Sequence, residues 1–171
     1  FSGVSGTKLN INGTSSYTDN VDIGGANTNF AGHMTTNNIQ LNFNTTLASL
    51  PAAYINSANT NFNLMNGFVN NTVLNNLDLS RGGNSISLDV DPANLTCDDI
   101  NLTGDPTMDL LTIRDINVLS DPIQSVTTFD LFDHEKYGTN IALTDELANS
   151  TVYGGLKTYK WALLPKLTLI E

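Results

Sequence analysis

The chain of 171 residues holds one cysteine, Cys97, so no internal disulfide can form and stability must come from packing and hydrogen bonding. Charge is scarce: 14% of residues are Asp, Glu, Lys or Arg, against roughly 25% in ordinary soluble domains. Only 7 residues are basic against 17 acidic, for a net charge of −10. That surface repels nucleic-acid phosphates and anionic lipid headgroups, which excludes nucleic acid as an expected partner. No apolar run approaches the ~18 residues of a transmembrane helix, so no membrane insertion by this segment is expected. Glutamate is nearly missing, at 3 residues against 14 Asp. Asp suits turns and caps where Glu suits helix interiors, so the imbalance argues against a helical architecture.

What is abundant is asparagine: 24 residues, 21 of them before position 102. They alternate with apolar residues, as in Asn38-Ile39-Gln40-Leu41-Asn42-Phe43-Asn44, Asn61-Phe62-Asn63-Leu64 and Ser85-Ile86-Ser87-Leu88-Asp89-Val90-Asp91. A period of two places one face of a strand in a core and the other in water. Asn is a poor strand former, but it stacks in ladders and tolerates left-handed turns. The pattern is that of many short, similar strands joined by tight corners.

The apolar segments recur. Ile39 to Phe62 is 23 positions, Leu64 to Ile86 is 22 and Leu88 to Leu110 is 22, with shorter strands such as Val73-Leu74 and Leu77-Asp78-Leu79 between them. A repeat near 22 with two or three strands each is what a right-handed parallel β-solenoid, a β-helix, requires, since a single coil cannot bury its apolar face alone. The predicted internal ladder is Ile39, Leu41, Phe43, Phe62, Leu64, Leu77, Leu79, Ile86, Leu88 and Val90. The alternative all-β architecture is a β-sandwich, which would space its strands by about 8 to 12 residues. Two regions of one domain are expected: Asn/Thr-rich solenoid coils over 1–104, then C-terminal coils or a capping β segment over 105–171, where Asn thins out. A short helix is predicted over Thr144–Asn149 with Thr144 as its N-cap. The run Thr158–Ile170 reads as one or two final strands divided at Pro165. The start at Phe1, with neither Met nor a signal peptide, reads as a piece of a longer protein.

Candidate chemistry is sparse. His33 and His134 are the two histidines, and the cluster Asp133-His134-Glu135-Lys136 reads as a solvated turn or an acid–base or metal site. Cys97, in an acidic setting that raises a thiol pKa, reads as a packed residue. Asp89, Asp91, Asp98 and Asp99 form the best acidic group. The spacing of Asp89 and Asp91 puts both carboxylates on one strand face, where they and Asn94 are candidate oxygen ligands for Ca²⁺; a catalytic carboxylate pair and an outward-facing row of solvated acids are the competing readings. No catalytic residue, resident metal or cofactor is assigned. Six Asn-x-Ser/Thr triplets are close to what this composition gives by chance. The absence of any Thr-x-Thr row excludes ice binding.

One stretch has a familiar texture. Thr60-Asn61-Phe62-Asn63-Leu64-Met65-Asn66-Gly67, then Leu77-Asp78-Leu79, then Asn84 through Thr96 with Asp98-Asp99-Ile100, resembles the C-terminal part of pertactin-like passenger β-helices of bacterial autotransporter-like surface proteins. Ile116-Asn117-Val118-Leu119-Ser120-Asp121 and Thr158-Tyr159-Lys160-Trp161 are similar to later segments of the same family. The likeness covers roughly residues 60–165. It implies secretion to the bacterial cell surface and an extracellular structural or adhesive role toward host or neighbouring-cell proteins or glycans, and it carries over no catalytic residue. A second expectation is a self-assembling filament or matrix subunit joined through terminal strands, with 161–170 as donor or cap. A third is a carbohydrate-active enzyme using Asp89 or Asp91.

Overall fold

The computed structural model describes residues 6–14, 19–24, 30–45, 54–75, 77–103, 109–131, 140–164 and 166–171. Fifteen strands and one short helix occur among them. The strands are β1 (Lys8–Asn12), β2 (Asn20–Ile23), β3 (His33–Phe43), β4 (Tyr54–Asn63), β5 (Asn71–Asn75), β6 (Leu77–Asp78), β7 (Asn84–Asp91) and β8 (Thr96–Cys97). They continue with β9 (Asp99–Thr103), β10 (Leu111–Val118), β11 (Val126–Phe129), β12 (Ile141–Leu143), β13 (Val152–Gly154), β14 (Lys157–Leu163) and β15 (Leu167–Ile170), with helix α1 (Asp145–Ala148) between β12 and β13.

The chain folds as a parallel β-solenoid. β1, β3, β4, β7, β10 and β12 stack in that order, each parallel to the next. This parallel stacking replaces the β-sandwich alternative, which would need antiparallel faces. β3 and β4 each bend through a corner and so serve two faces. The first face is Lys8–Asn12, then 33–37, then 54–58, then Leu77–Asp78. The second is Asn20–Ile23, then 39–43, 60–63, β7, β10 and β12. β5 and β9 pair in parallel as a third face.

Corner chemistry explains part of the asparagine excess. Asn38 and Asn59 sit above one another at the corner with φ of 54° and 46°, a left-handed conformation that short polar side chains tolerate best after glycine. Glycine holds the equivalent corner in the flanking coils. Gly13 donates its N–H to Asn37 C=O at 2.9 Å, and a Cβ on Gly13 would come within 2.1 Å of the Asn38 carbonyl oxygen. Asn59 donates to Gly82 C=O at 3.0 Å.

Inward-pointing residues form ladders. On the second face the rungs are Val21, Leu41, Phe62, Ile86, Ile113 and Leu143, each paired with the next. On the first face they are Leu9, Met34, Ile55 and Leu77. All ten residues predicted for the internal ladder are buried. Each such aliphatic or aromatic side chain contributes roughly 1.5–3 kcal/mol by leaving water. The register differs from the sequence reading: Ile39 pairs with Thr60 and Leu41 with Phe62. Leu110 is half exposed, and Leu111 is the inward residue.

The C-terminal end is closed by a different structure. β11, β15, β14 and β13 form an antiparallel sheet in that order. α1, capped by Thr144 accepting the Leu147 N–H at 3.3 Å, packs between this sheet and β10. Residues 167–170 are therefore paired on both sides, by β11 and β14. Pro165 lies outside the described residues.

Candidate binding face

The outer side of the first face carries two polar rows. Lys8, His33 and Tyr54 are register partners, as are Asn10, Thr35, Asn56 and Asp78. Strand alternation turns all of them outward, and successive coils set them roughly 4.8 Å apart. The His33 and Tyr54 rings stand 5.0 Å apart at 40°. Tyr54 donates its hydroxyl to Asp78 Oδ2 at 3.4 Å, and Asn56 Nδ2 donates to the same oxygen at 2.6 Å. Arg81 Nη1 donates to Asn56 Oδ1 at 3.3 Å. Partial burial and then the Asp78 charge raise the Tyr54 pKa, so the phenol is a neutral donor at physiological pH. Burial works against Asp78 ionising, but hydrogen bonds from Ser80, Asn56 and Tyr54 outweigh it and lower its pKa. A groove of about 490 Å³ opens beside this row, lined by Gly6, Lys8, Asn10, His33 and Thr35.

The second face is polar too, but its amides are spent on one another. Asn42 Nδ2 donates to Asp22 at 2.9 Å, Asn63 Nδ2 to Asn42 at 3.0 Å and Gln40 Nε2 to Asn42 at 2.7 Å. Asn61 donates to Gln40 at 3.0 Å and accepts from Ser85 at 3.0 Å. All but the Gln40–Asn42 bond, which lies within β3, cross between coils and fasten the stack. The first face differs from the second in carrying an aromatic pair, His33 and Tyr54, together with the cationic side chains of Lys8 and Arg81.

The acidic residues singled out in the sequence lie at the corner between the second and third faces. Asp89 is fully buried, which corrects the picture of an outward row of solvated carboxylates. Its Oδ2 accepts the Asn66 and Gly67 N–H groups, both at 2.8 Å, and its Oδ1 accepts the Asn117 amide. Donors from the preceding and following coils thus converge on one side chain. Asp98 is also buried, accepting Asn70 N–H at 2.8 Å and Asp89 N–H at 2.6 Å. Burial, with the Asp89 charge adding, pushes its pKa up to about 7 against those two bonds. Asp91 accepts from Ser120 and, at 2.7 Å, from Asn94 Nδ2; those bonds lower its pKa. Asn94 thus turns its nitrogen, not its carbonyl, toward Asp91. The Asp89 and Asp91 oxygens proposed as Ca²⁺ ligands already face N–H and O–H donors, and no group of three or more His, Cys, Asp or Glu fit to hold a metal occurs among the described residues. Asp99 lies in β9 and donates its N–H to Asn70 C=O at 2.9 Å. The Cys97 thiol donates to Asp130 C=O at 3.3 Å, and burial followed by the charges of Asp99, Asp98 and Asp130 pushes its pKa up to about 12, far from a nucleophile. His134 lies outside the described residues.

Sequence reasoning missed the pairing of His33 with Tyr54. The signal is their spacing of 21, one coil, which register alone reveals. No family model, curated protein or solved structure matches the chain.

Proposed function

We propose that the chain is a secreted, cell-surface module of a bacterial protein, structural and adhesive, whose first face binds glycans or proteins of host or neighbouring cells. The observation that carries this reading is the His33–Tyr54 pair set in a row of outward amide, hydroxyl and carboxylate groups. Aromatic faces stack on the apolar faces of sugars and side chains, while fixed polar groups at strand spacing meet hydroxyls or amides. The resemblance to pertactin-like passengers supports the extracellular setting. The proposal assigns no catalysis.

The test is binding of immobilised protein to a panel of bacterial and mammalian glycans and matrix proteins, repeated with Tyr54→Ala and His33→Ala. Saturable binding should weaken roughly tenfold or more, about 1.4 kcal/mol, with circular dichroism unchanged. Undiminished binding by both variants would remove the first face from the proposal. A panel with no binder would remove adhesion.

A second reading, assembly through strand edges, draws on β1 and β2, each of which pairs on one side only, with β3, among the described residues. Filaments forming with rising concentration in sedimentation and negative-stain imaging would favour it.

A further inference from the structure

The parallel stack ends unevenly. β12 pairs with β10 only over Leu111–Ile113. Thr144 still donates its N–H to Ile113 C=O at 3.1 Å, and the chain then turns into α1. Beside residues 115–118 no described strand continues on that side. The opposite edge of β10 pairs with β7 over Leu111–Ile113 and, after a register shift, over Asp115–Val118, and Leu119 N–H donates to Val90 C=O at 2.8 Å. Successive residues of a strand direct their backbone groups to opposite edges, so the N–H and C=O groups of Ile116 and Val118 face away from β7.

They face a cleft of about 640 Å³, whose far wall is made by α1, β13 and Trp161 of β14. Ile116, Val118, Leu147 and Trp161 supply the apolar part of its lining and Ser120, Ser150 and Thr151 a polar part. The exposed Asp121 and Glu146 stand at it beside Tyr153, while Asp115 is ion-paired with Arg114 of the same lining at 3.4 Å.

We infer that this cleft is a strand slot, and that its occupant is an extended basic and apolar peptide segment of another protein, added to the stretch of β10 edge that has no strand partner among the described residues. An unpaired strand edge is a template for a further strand, with main-chain bonds supplying affinity and alternate side-chain sites supplying specificity. Four residues of edge span ~13 Å, enough for a short motif. A whole coil of a second copy does not fit, because α1 and the cap sheet stand against the same end of the stack. Asp121 and Glu146, the acids of the lining beyond the Arg114–Asp115 pair, select lysine or arginine on the outer side of the added strand, and Ile116, Val118, Leu147 and Trp161 select valine- or leucine-like residues at the alternate positions.

The probe is a capped peptide of about six residues alternating lysine and valine, with a glutamate–valine peptide as control. Binding is followed by the fluorescence of Trp161, the single tryptophan, and by hydrogen exchange at residue resolution. Saturable binding of the lysine peptide should slow exchange at Ile116 and Val118 roughly tenfold or more. It should weaken by about tenfold or more in Glu146→Lys and in Asp121→Lys, both exposed positions. The glutamate peptide should not bind. Failure of the lysine peptide to bind, or binding that leaves those two amides unprotected, would overturn the slot. Protection of the same amides by protein concentration alone would assign the edge to a second copy and overturn the peptide.

Discussion

Replacing Asp89 by alanine tests whether the acidic corner is a structural staple. The carboxylate receives two backbone N–H groups from the 66–67 turn at 2.8 Å and the amide of Asn117, so its loss strands three donors. A buried donor left without an acceptor costs roughly 1–3 kcal/mol. Gly67 is exposed and Asn66 half-buried, so water recovers part of two of those bonds. Removing a buried charge beside Asp98 returns a little more. A net loss of about 3 kcal/mol follows, near the lower end for breaking a buried charged network. Asp89→Asn keeps one carbonyl oxygen and should lose about half as much. Urea unfolding at pH 7 followed by Trp161 fluorescence measures the total. Hydrogen exchange at Asn66 and Gly67 reports whether the turn opens first, which matters because stacked coils need not unfold as one unit. A loss below ~0.5 kcal/mol with unchanged exchange at both amides would refute the staple. The same experiment bears on catalysis: lost activity in Asp89→Ala would be confounded by unfolding, so Asp91→Ala is the cleaner probe of an enzymatic role.

The other predictions concern Asp98 and the corner. Asp98 has a folded pKa of about 7, above its unfolded value of 3.8. Its contribution is therefore complete below about pH 4 and is lost as pH rises to about 7, at up to ~1.4 kcal/mol per pH unit. The lowered pKa values of Asp78 and Asp91 act in a separate window, since their contribution is lost as pH falls below 3.8. Urea midpoints should fall from pH 5 to pH 7, and Asp98→Asn should flatten that dependence; an unchanged slope would sink the assignment. At the corner, Asn59 has φ of 46°, so Asn59→Ala should cost about 1–2 kcal/mol in thermal or urea unfolding, while Asn59→Gly should be close to neutral. Equal losses for the two would show that the Asn59 side chain, not the left-handed backbone, holds that corner.

Legibility in the sequence divided along physical lines. Period-two alternation identified the inward set from Ile39 to Val90 because burial on one strand face is a local property. Thr144 as N-cap of α1 was readable for the same reason. Register was not, since matching Ile39 to Phe62 requires equal coils, whereas Leu41 to Phe62 is 21 positions and Ile86 to Ile113 is 27. The alternation correctly put Asp89 on the outer side of its strand, but the turn that covers it comes from residues 66–67 of another coil. The same limit hid the His33–Tyr54 pair, and it hid the strand slot, which exists because β12 stops after three residues.

The unequal coils have a consequence of their own. Along the second face the steps from rung to rung run 20, 21, 24, 27 and 30 residues, from Val21 through Leu41, Phe62, Ile86 and Ile113 to Leu143. Identical coils could slide past one another by a whole rung and find equivalent partners. Here each circuit has its own length, so a slipped rung would leave slack or shortfall at the corners and turn core side chains to water. The graded circumference works like the differing cuts of a key, admitting one alignment of the stack and encoding it in loop length instead of in the side chains of the strands.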